Sequence, residues 1–334
     1  MTIKTKITRC GFGPASLVAT LALATVLGAA TASAQTYPTR AVTVILPFAG
    51  GSASDVVARI LFERMSRSMG QPIIVDNRPG AGGNTGTAAA TKATPDGYTL
   101  VATGVGALGV NKVLTREFNY DPDNDLVPVQ LAGAFPIIAV ASNKLPVSSL
   151  SELIAYAKTR PNELNYGSVG VGSSQHMSGV FFEQIAGVKL THVAYRNIAQ
   201  YMPDMMAGTV PLGFSWFPNV TAAIQSNGAK PLAVASKTRL PALPDVPTTA
   251  EAGLPDYVVS GWLALMAPRG TPRAAIDRIN KELADAAQDA TVQTRIRAQG
   301  ATAPVMTPEQ LGTFVKAEVK QWIDLIKKMG IQPQ

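Results

Sequence analysis

An α/β protein of two domains with largely parallel sheets is the fold class this 334-residue sequence predicts. Three observations predict it. Short β-branched runs alternate with helical stretches along the chain, as in successive strand–helix–strand units. About 300 residues follow an N-terminal leader in a chain that is 46% hydrophobic, enough for a full core and more than one domain. A strand that runs through a Gly/Ser loop into a helix occurs near residue 50 and again near residue 170.

The leader comes first. Lys4, Lys6 and Arg9 form a basic start, Leu17 to Ala30 is small and apolar, and Ala32-Ser33-Ala34 is an A-x-A pattern. Residues 1–34 therefore read as a secretory signal cleaved near Ala34. The apolar run is shorter than the roughly 20 residues of a spanning helix, and no later stretch reaches that length, so a soluble mature chain is expected. The full chain has 29 Lys/Arg and 22 Asp/Glu, a net +7; without the leader's three basic residues the balance is 26 to 22, or +4. That mild excess has no basic block with interleaved aromatics, which speaks against a nucleic-acid surface. The single cysteine, Cys10, lies in the leader, leaving no thiol for a disulfide, a metal or a nucleophile.

Val42 to Leu46 is a β-branched strand that stops at Pro47-Phe-Ala-Gly-Gly-Ser-Ala-Ser-Asp55. Apolar residues then recur at Val56, Val57, Ile60, Leu61 and Met65, one helix face. The first turn of a helix leaves backbone N–H groups unpaired and carries partial positive charge, so a carboxylate or phosphate fits there. An ordinary turn with Ser54 or Asp55 as N-cap is the other reading. Pro72 to Asp76 is a second strand, followed by Asn77-Arg-Pro-Gly-Ala-Gly-Gly83 and a small-residue helix from about Asn84 to Lys92; this loop reads first as structural, with ligand contact as the alternative. Tyr98 to Thr103 is a third strand with a Gly-rich end at Gly104 to Gly109. Tyr120 to Asp125 lacks the glycine and distal Glu of an EF-hand and reads as a solvated acidic turn.

Pro128 and Pro136 interrupt the apolar run Leu126 to Ser142, which suits an edge or crossover strand. Ser149-Leu-Ser-Glu152 is a capping-box pattern for a helix through Lys158. Asn165 to His176 then repeats the opening device, with helix spacing at Met177, Val180, Phe181 and Ile185. Both loops belong at the carboxyl ends of their strands, where open α/β sheets bind ligands. His192 to Arg196 and Val210 to Phe217 end two more strands, with Pro218 expected at the first position of the next helix. Arg196 suits either a bidentate carboxylate contact or an ion pair with Asp204. Trp216 and Phe217 suit either core or pocket wall. Lys230 to Ser236 reads as a strand, Leu240 to Pro247 as a proline-rich connection, and Tyr257 to Ala267 as a strand returning to the first lobe. Thr271-Pro272 and Thr307-Pro308 both read as N-cap plus first-turn proline, and the last helix buries Leu311, Phe314, Val315, Trp322 and Ile326 before Gly330 ends it.

Enzyme chemistry has little support in these residues, and no cofactor or metal is expected. His176 and His192 have no third ligand type beside them, whereas zinc gathers three or four. Gly170-Val-Gly172 lacks the third glycine of a dinucleotide loop, where Gln175 stands. No P-loop and no G-x-S-x-G elbow occurs.

Eight motifs in order carry a family resemblance: Tyr37-Pro-Thr-Arg, Pro47-Phe-x-x-Gly-x-x-x-Asp55, Gly70-Gln-Pro, Asn77-Arg-Pro-Gly-Ala-Gly-Gly-Asn84, Pro95-Asp-Gly-Tyr98, Gly172-Ser-Ser-x-His176, His192-Val-x-Tyr195 and Leu243-Pro-Asp-Val-Pro-Thr248. Together they resemble the substrate-binding proteins of tripartite tricarboxylate transporters, the Bug receptors, over essentially the whole mature chain. The resemblance implies a type II-like periplasmic binding protein fold: two α/β lobes joined by two crossover strands, with a ligand cleft between them. It places lobe 1 at residues 35–137 and 259–334 and lobe 2 at 138–258. It implies a periplasmic monomer that delivers a small carboxylate to a two-component membrane permease. Carried over by position, it points to Phe48, Gly51, Ser52 and Ala53, to Thr103 and Ala107, and to Ser168, Ser173 and Ser174.

Tyr195-Arg196-Asn197-Ile198 stands where Tyr-Lys-Gly-Ser is more usual, and Ser215-Trp216-Phe217 stands where an Asp-Asn pair often follows the phenylalanine. An acidic acceptor for an ammonium group is thus replaced by hydroxyl and aromatic groups, which disfavours amino-acid ligands. The ligand expected is a mono- or dicarboxylate, either an aromatic acid flanked by Trp216 and Phe217 or an aliphatic diacid with those rings in the core. A ligand-loaded partner of a signalling receptor is the alternative role.

Overall fold

The structure, a computed structural model, describes residues 1–4, 6 and 37–333. The apolar run and cleavage pattern of the leader lie outside the described residues. The chain divides into two compact units, Met1–Thr39 and Arg40–Gln334, and all that follows concerns the second.

Two five-stranded sheets organise this unit. In the first, β1 (Val42–Leu46) is parallel to β2 (Ile73–Asn77) and β3 (Thr99–Thr103). The antiparallel member, β10 (Ser260–Pro268), lies between β3 and β4 (Leu126–Pro136). In the second, β6 (Asn165–Ser168) is parallel to β7 (Thr191–Ala194) and β8 (Leu212–Ser215). Its antiparallel member, β5 (Ile138–Ser142), lies between β8 and β9 (Ala229–Val234). Each sheet with its helices is a lobe. The orders β2-β1-β3-β10-β4 and β7-β6-β8-β5-β9 are one pattern used twice.

The run Leu126 to Ser142 is both edge and crossover. Its first part is the edge strand β4, and after Ile137 it enters the second sheet as β5. Strand β10 makes the return. At the crossing the backbones of Ile137, Ala235 and Val259 bond one another, with Ala235 N to Ile137 O at 2.8 Å and Val259 N to Ala235 O at 3.1 Å.

The helices are α1 (Ala53–Met69), α2 (Asn84–Thr91), α3 (Asn111–Leu114), α4 (Pro122–Asp125), α5 (Leu150–Lys158), α6 (Ser174–Ala186), α7 (Ile198–Ala207), α8 (Phe217–Gln225), α9 (Arg273–Gln288), α10 (Ala290–Ala298) and α11 (Pro308–Met329). Val57, Leu61 and Met65 on α1 are buried, as their spacing predicts. Trp322 of α11 is buried, whereas Phe314 is half-buried against Trp262. Three terminal details differ from expectation. Ser52, not Ser54 or Asp55, is the N-cap of α1. Thr271 does not cap α9, because its hydroxyl donates to Pro268 O at 2.7 Å, and the helix begins at Arg273. Phe217 takes the first position of α8 and Pro218 the second. Among the described residues no helix is long and apolar enough to cross a membrane.

Candidate functional site

The two repeated junctions face one cleft. In lobe 1 the β1–α1 loop turns at Gly51, whose amide donates to Asp55 Oδ2 at 2.9 Å. The buried Asp55 carboxylate also accepts from Arg59 Nε at 3.0 Å and Asn77 Nδ2 at 2.9 Å. Burial raises its pKa, but the bonds from Arg59, Gly51 and Asn77 outweigh that and hold it below the ordinary aspartate value. Ser52 gives its helix no side-chain cap; its hydroxyl lies 3.1 Å from that of Ser54.

In lobe 2 the β6–α6 junction is closed by neutral groups. Ser173 Oγ accepts from the His176 amide at 3.3 Å, capping α6 with its own residue. Gly172 N donates to His176 Nδ1 at 3.0 Å, so Nδ1 is an acceptor and the proton of the neutral ring sits on Nε2. His192 Nε2 lies 2.7 Å from Ser168 Oγ, and the two imidazole centroids are 4.0 Å apart. Burial, with His192 adding to it, pushes His176 well below the usual imidazole range, and burial pushes His192 down to about 4. Both rings are structural props for the loop. Among the described residues no group of three or more His, Cys, Asp or Glu could hold a metal ion.

Four first-turn amides, of Ser54 and Asp55 on α1 and of Ser174 and Gln175 on α6, have no hydrogen-bond partner among the described residues. Ser52, Ser54, Ser173, Ser174 and Gln175 all line the same cleft. Two helix N-termini thus bring donors and partial positive charge to one place. Backbone and hydroxyl donors arranged in this way suit an anion such as a carboxylate.

Loop backbones from the two lobes meet at the cleft's edge. A Cβ on Gly82, at φ +62°, would stand 2.2 Å from the Val171 carbonyl oxygen of the other lobe. One on Gly172, at φ +72°, would stand 1.6 Å from Asn111 Oδ1. Only glycine allows this approach.

Of the residues singled out from sequence, Phe48, Ser52, Ser173, Ser174, Arg196 and Trp216 line the cleft. Eight do not. Gly51 turns its amide to Asp55, and Ala53 N bonds Asn219 Oδ1 at 2.9 Å. Thr103 Oγ1 is buried 3.0 Å from Thr87 Oγ1, and the carbonyl of buried Ala107 accepts from the Tyr120 hydroxyl at 2.7 Å. Ser168 holds His192, and Ser215 Oγ accepts from Asn219 Nδ2 at 3.3 Å. Tyr195 donates to Asp204 at 2.6 Å. The expected alternative partner of Arg196 is therefore taken, and the exposed Arg196 has no ion-pair partner among the described residues. Phe217 packs on the lobe 2 core with Val220 and Leu240. Trp216 stacks one face on Phe135, with centroids 4.3 Å apart and planes 13° apart, so the two rings do not flank a common slot. Its indole N–H is buried without a partner.

Sequence reasoning missed Trp262, Asn219, Asn197 and Gln175 as cleft-lining residues. Trp262 reads as part of the return strand, and nothing local says that β10 runs beside β3. Asn219 does carry a signal, lying two residues into a helix that starts at a strand's carboxyl end.

A family model described as the tripartite tricarboxylate transporter family receptor matches residues 57–331. The chain belongs to this family. It is a family of solute-binding receptors. BugT of Bordetella pertussis is 37% identical over 303 residues, covering 90% of this chain and 93% of BugT. An R. palustris protein solved with adipate is 34% identical with a TM-score of 0.84, covering 89% of this chain and all of that one. MatC from Rhodopseudomonas palustris, solved with bound malate, is 33% identical with a TM-score of 0.80, covering 87% of this receptor and all of MatC.

Proposed function

We propose that this receptor is exported to the periplasm, captures a small aliphatic carboxylate between lobes 35–137 with 259–334 and 138–258, and delivers it as a monomer to a membrane permease. The observation that carries this reading is the convergence of the α1 and α6 N-termini on one cleft with four unpartnered amides. One carboxylate accepts from those amides and from the hydroxyls of Ser52, Ser54, Ser173 and Ser174. Similarity to proteins solved with adipate and with malate supports the same ligand class.

One observation favours an aliphatic over an aromatic acid: one face of Trp216 is already covered by Phe135, so Trp216 and Phe217 do not flank a ring. The partnerless Arg196 at the cleft wall supplies a site for a second carboxylate, which favours a diacid. Absence of an acidic side chain from the cleft wall speaks against an ammonium-bearing ligand.

The test is a thermal-shift panel on residues 35–334 with malate, succinate, adipate, terephthalate and glutamate. An acid at 100 times its dissociation constant stabilises the fold by about 2.7 kcal/mol, a rise of roughly 4 °C for a chain of this length. Rises with aliphatic diacids alone are expected; a rise with terephthalate or glutamate alone overturns the ligand class, and no rise with any acid overturns the carboxylate reading.

A further inference from the structure

We infer that Asn219 is a latch that holds the two lobes together over the ligand and sets its residence time, an inference that rests on the cleft reading above. Asn219 belongs to α8 in lobe 2, yet its Oδ1 accepts from the amide of Ala53, the first residue of α1 in lobe 1, at 2.9 Å. Among the described residues no other direct hydrogen bond joins the lobes across the cleft away from the crossing strands, and no ion pair does. The orientation of the carboxamide is forced. The Ala53 amide is a donor, so oxygen must face it, and the NH₂ is left to donate to Ser215 Oγ at 3.3 Å, which anchors the side chain to its own lobe.

The contact fills a need peculiar to α1. Its N-cap, Ser52, makes no side-chain cap bond, whereas Ser173 caps α6 from within the same lobe. An Asn oxygen is among the best acceptors for a first-turn amide. Here it comes from across the cleft, so the Ala53 amide of α1 is capped only while the lobes are together. Asn219 also lines the ligand cleft. Its neutral oxygen satisfies one amide while leaving those of Ser54 and Asp55 for the anion, without placing a second negative charge beside it.

A latch acts on opening, so removing it should raise the dissociation rate without slowing association, which starts from the open form. The experiment measures association and dissociation of malate, succinate and adipate by stopped flow for the wild type and Asn219→Ala. It adds melting and small-angle scattering of both proteins without ligand. Expected are a dissociation rate raised about tenfold, an association rate no lower than that of the wild type, a ligand-free melting temperature lowered by no more than about 2 °C and a larger radius of gyration. Asn219→Asp keeps the acceptor, so its radius should match the wild type, while its carboxylate repels the ligand and lowers affinity below that of Asn219→Ala. An unchanged dissociation rate in Asn219→Ala, or an affinity loss carried wholly by association, overturns the latch. If none of the three acids binds the wild type, the carboxylate reading fails by itself. Scattering then decides the latch: an expanded Asn219→Ala supports it and an identical radius overturns it.

Discussion

The two lobes share a sheet order and a strand–loop–helix junction, yet they secure that junction with opposite chemistry. Lobe 1 uses charge: Asp55 gathers the Gly51 amide, Arg59 and Asn77, and the helix cap comes from Asn219 across the cleft. Lobe 2 uses buried neutral groups: Ser173 caps its own helix, and the stacked His176 and His192 brace the loop through Gly172 and Ser168. The difference teaches that one fold pattern can make one half of a site complete by itself and the other half dependent on closure. Lobe 2 is a preformed receiver, and lobe 1 is finished when the lobes meet.

Gly82→Ala should break this comparison most severely. Its Cβ has no room before the Val171 carbonyl, and φ +62° is strained for alanine. The lobes then cannot approach, and affinity for the bound acid should fall more than 100-fold, while urea denaturation shows a loss of only about 1–2 kcal/mol from the backbone strain. Calorimetric titration that finds wild-type affinity would show that the glycine seam is not part of closure.

Acid should separate the lobes next. His176 and His192 have folded pKa values below 6.5, so the unfolded chain binds more protons below that pH. Their contribution is complete above pH 6.5 and is lost as pH falls, for His192 toward about 4 at no more than about 1.4 kcal/mol per pH unit. Glu183, raised by burial, works in the opposite direction just above 4.5, so the comparison must be made against His192→Gln. That variant should flatten the stability profile between pH 6.5 and 5 by close to one proton in urea titrations at each pH. An unaltered slope would mean that His192 is not the titrating prop.

Asp55 sharpens the same contrast from lobe 1. Its folded pKa is depressed below 3.8, so its stabilisation is present above that pH and lost only as pH falls through the still lower folded value. The lobe 1 junction therefore resists acid where the lobe 2 junction has already yielded. Asp55→Asn should cost about 2 kcal/mol, the range for hydrogen bonds to a charged group, and the loss should shrink as pH falls through the lowered folded pKa. Arg59 is half exposed, so little of that cost should respond to salt.

How much of this was legible beforehand follows from whether a feature is local. The junctions at Gly50 to Asp55 and Gly170 to His176 are readable because a β-branched run, a glycine loop and an apolar helix stripe lie consecutively in the chain. Ser52, Ser173 and Ser174 are found with them. The residues whose placement the sequence leaves open or misses depend on tertiary packing. Tyr195 rather than Arg196 takes Asp204. Phe217 turns to the lobe 2 core while its neighbour Trp216 lies on Phe135 of the crossover region. The Ala53 to Asn219 bond spans 166 positions and two lobes, and Trp262 reaches the cleft only because β10 inserts beside β3. No periodicity records such register.

The smallest effect makes the sharpest comparison, since it changes one hydroxyl in each lobe at equivalent positions. Ser173→Ala removes the acceptor of the His176 amide, and an N-cap serine replaced by alanine costs about 1 kcal/mol. Ser52→Ala removes a hydroxyl that caps nothing, so its cost in stability should stay within a few tenths of a kcal/mol. Ligand affinity should reverse the order of concern. Both hydroxyls line the cleft, so each variant loses a donor to the carboxylate, and Ser52→Ala should weaken binding several-fold with almost no change in melting. Equal stability losses in the two variants, read by urea denaturation without ligand, would erase the distinction between a self-capped and a cross-capped helix.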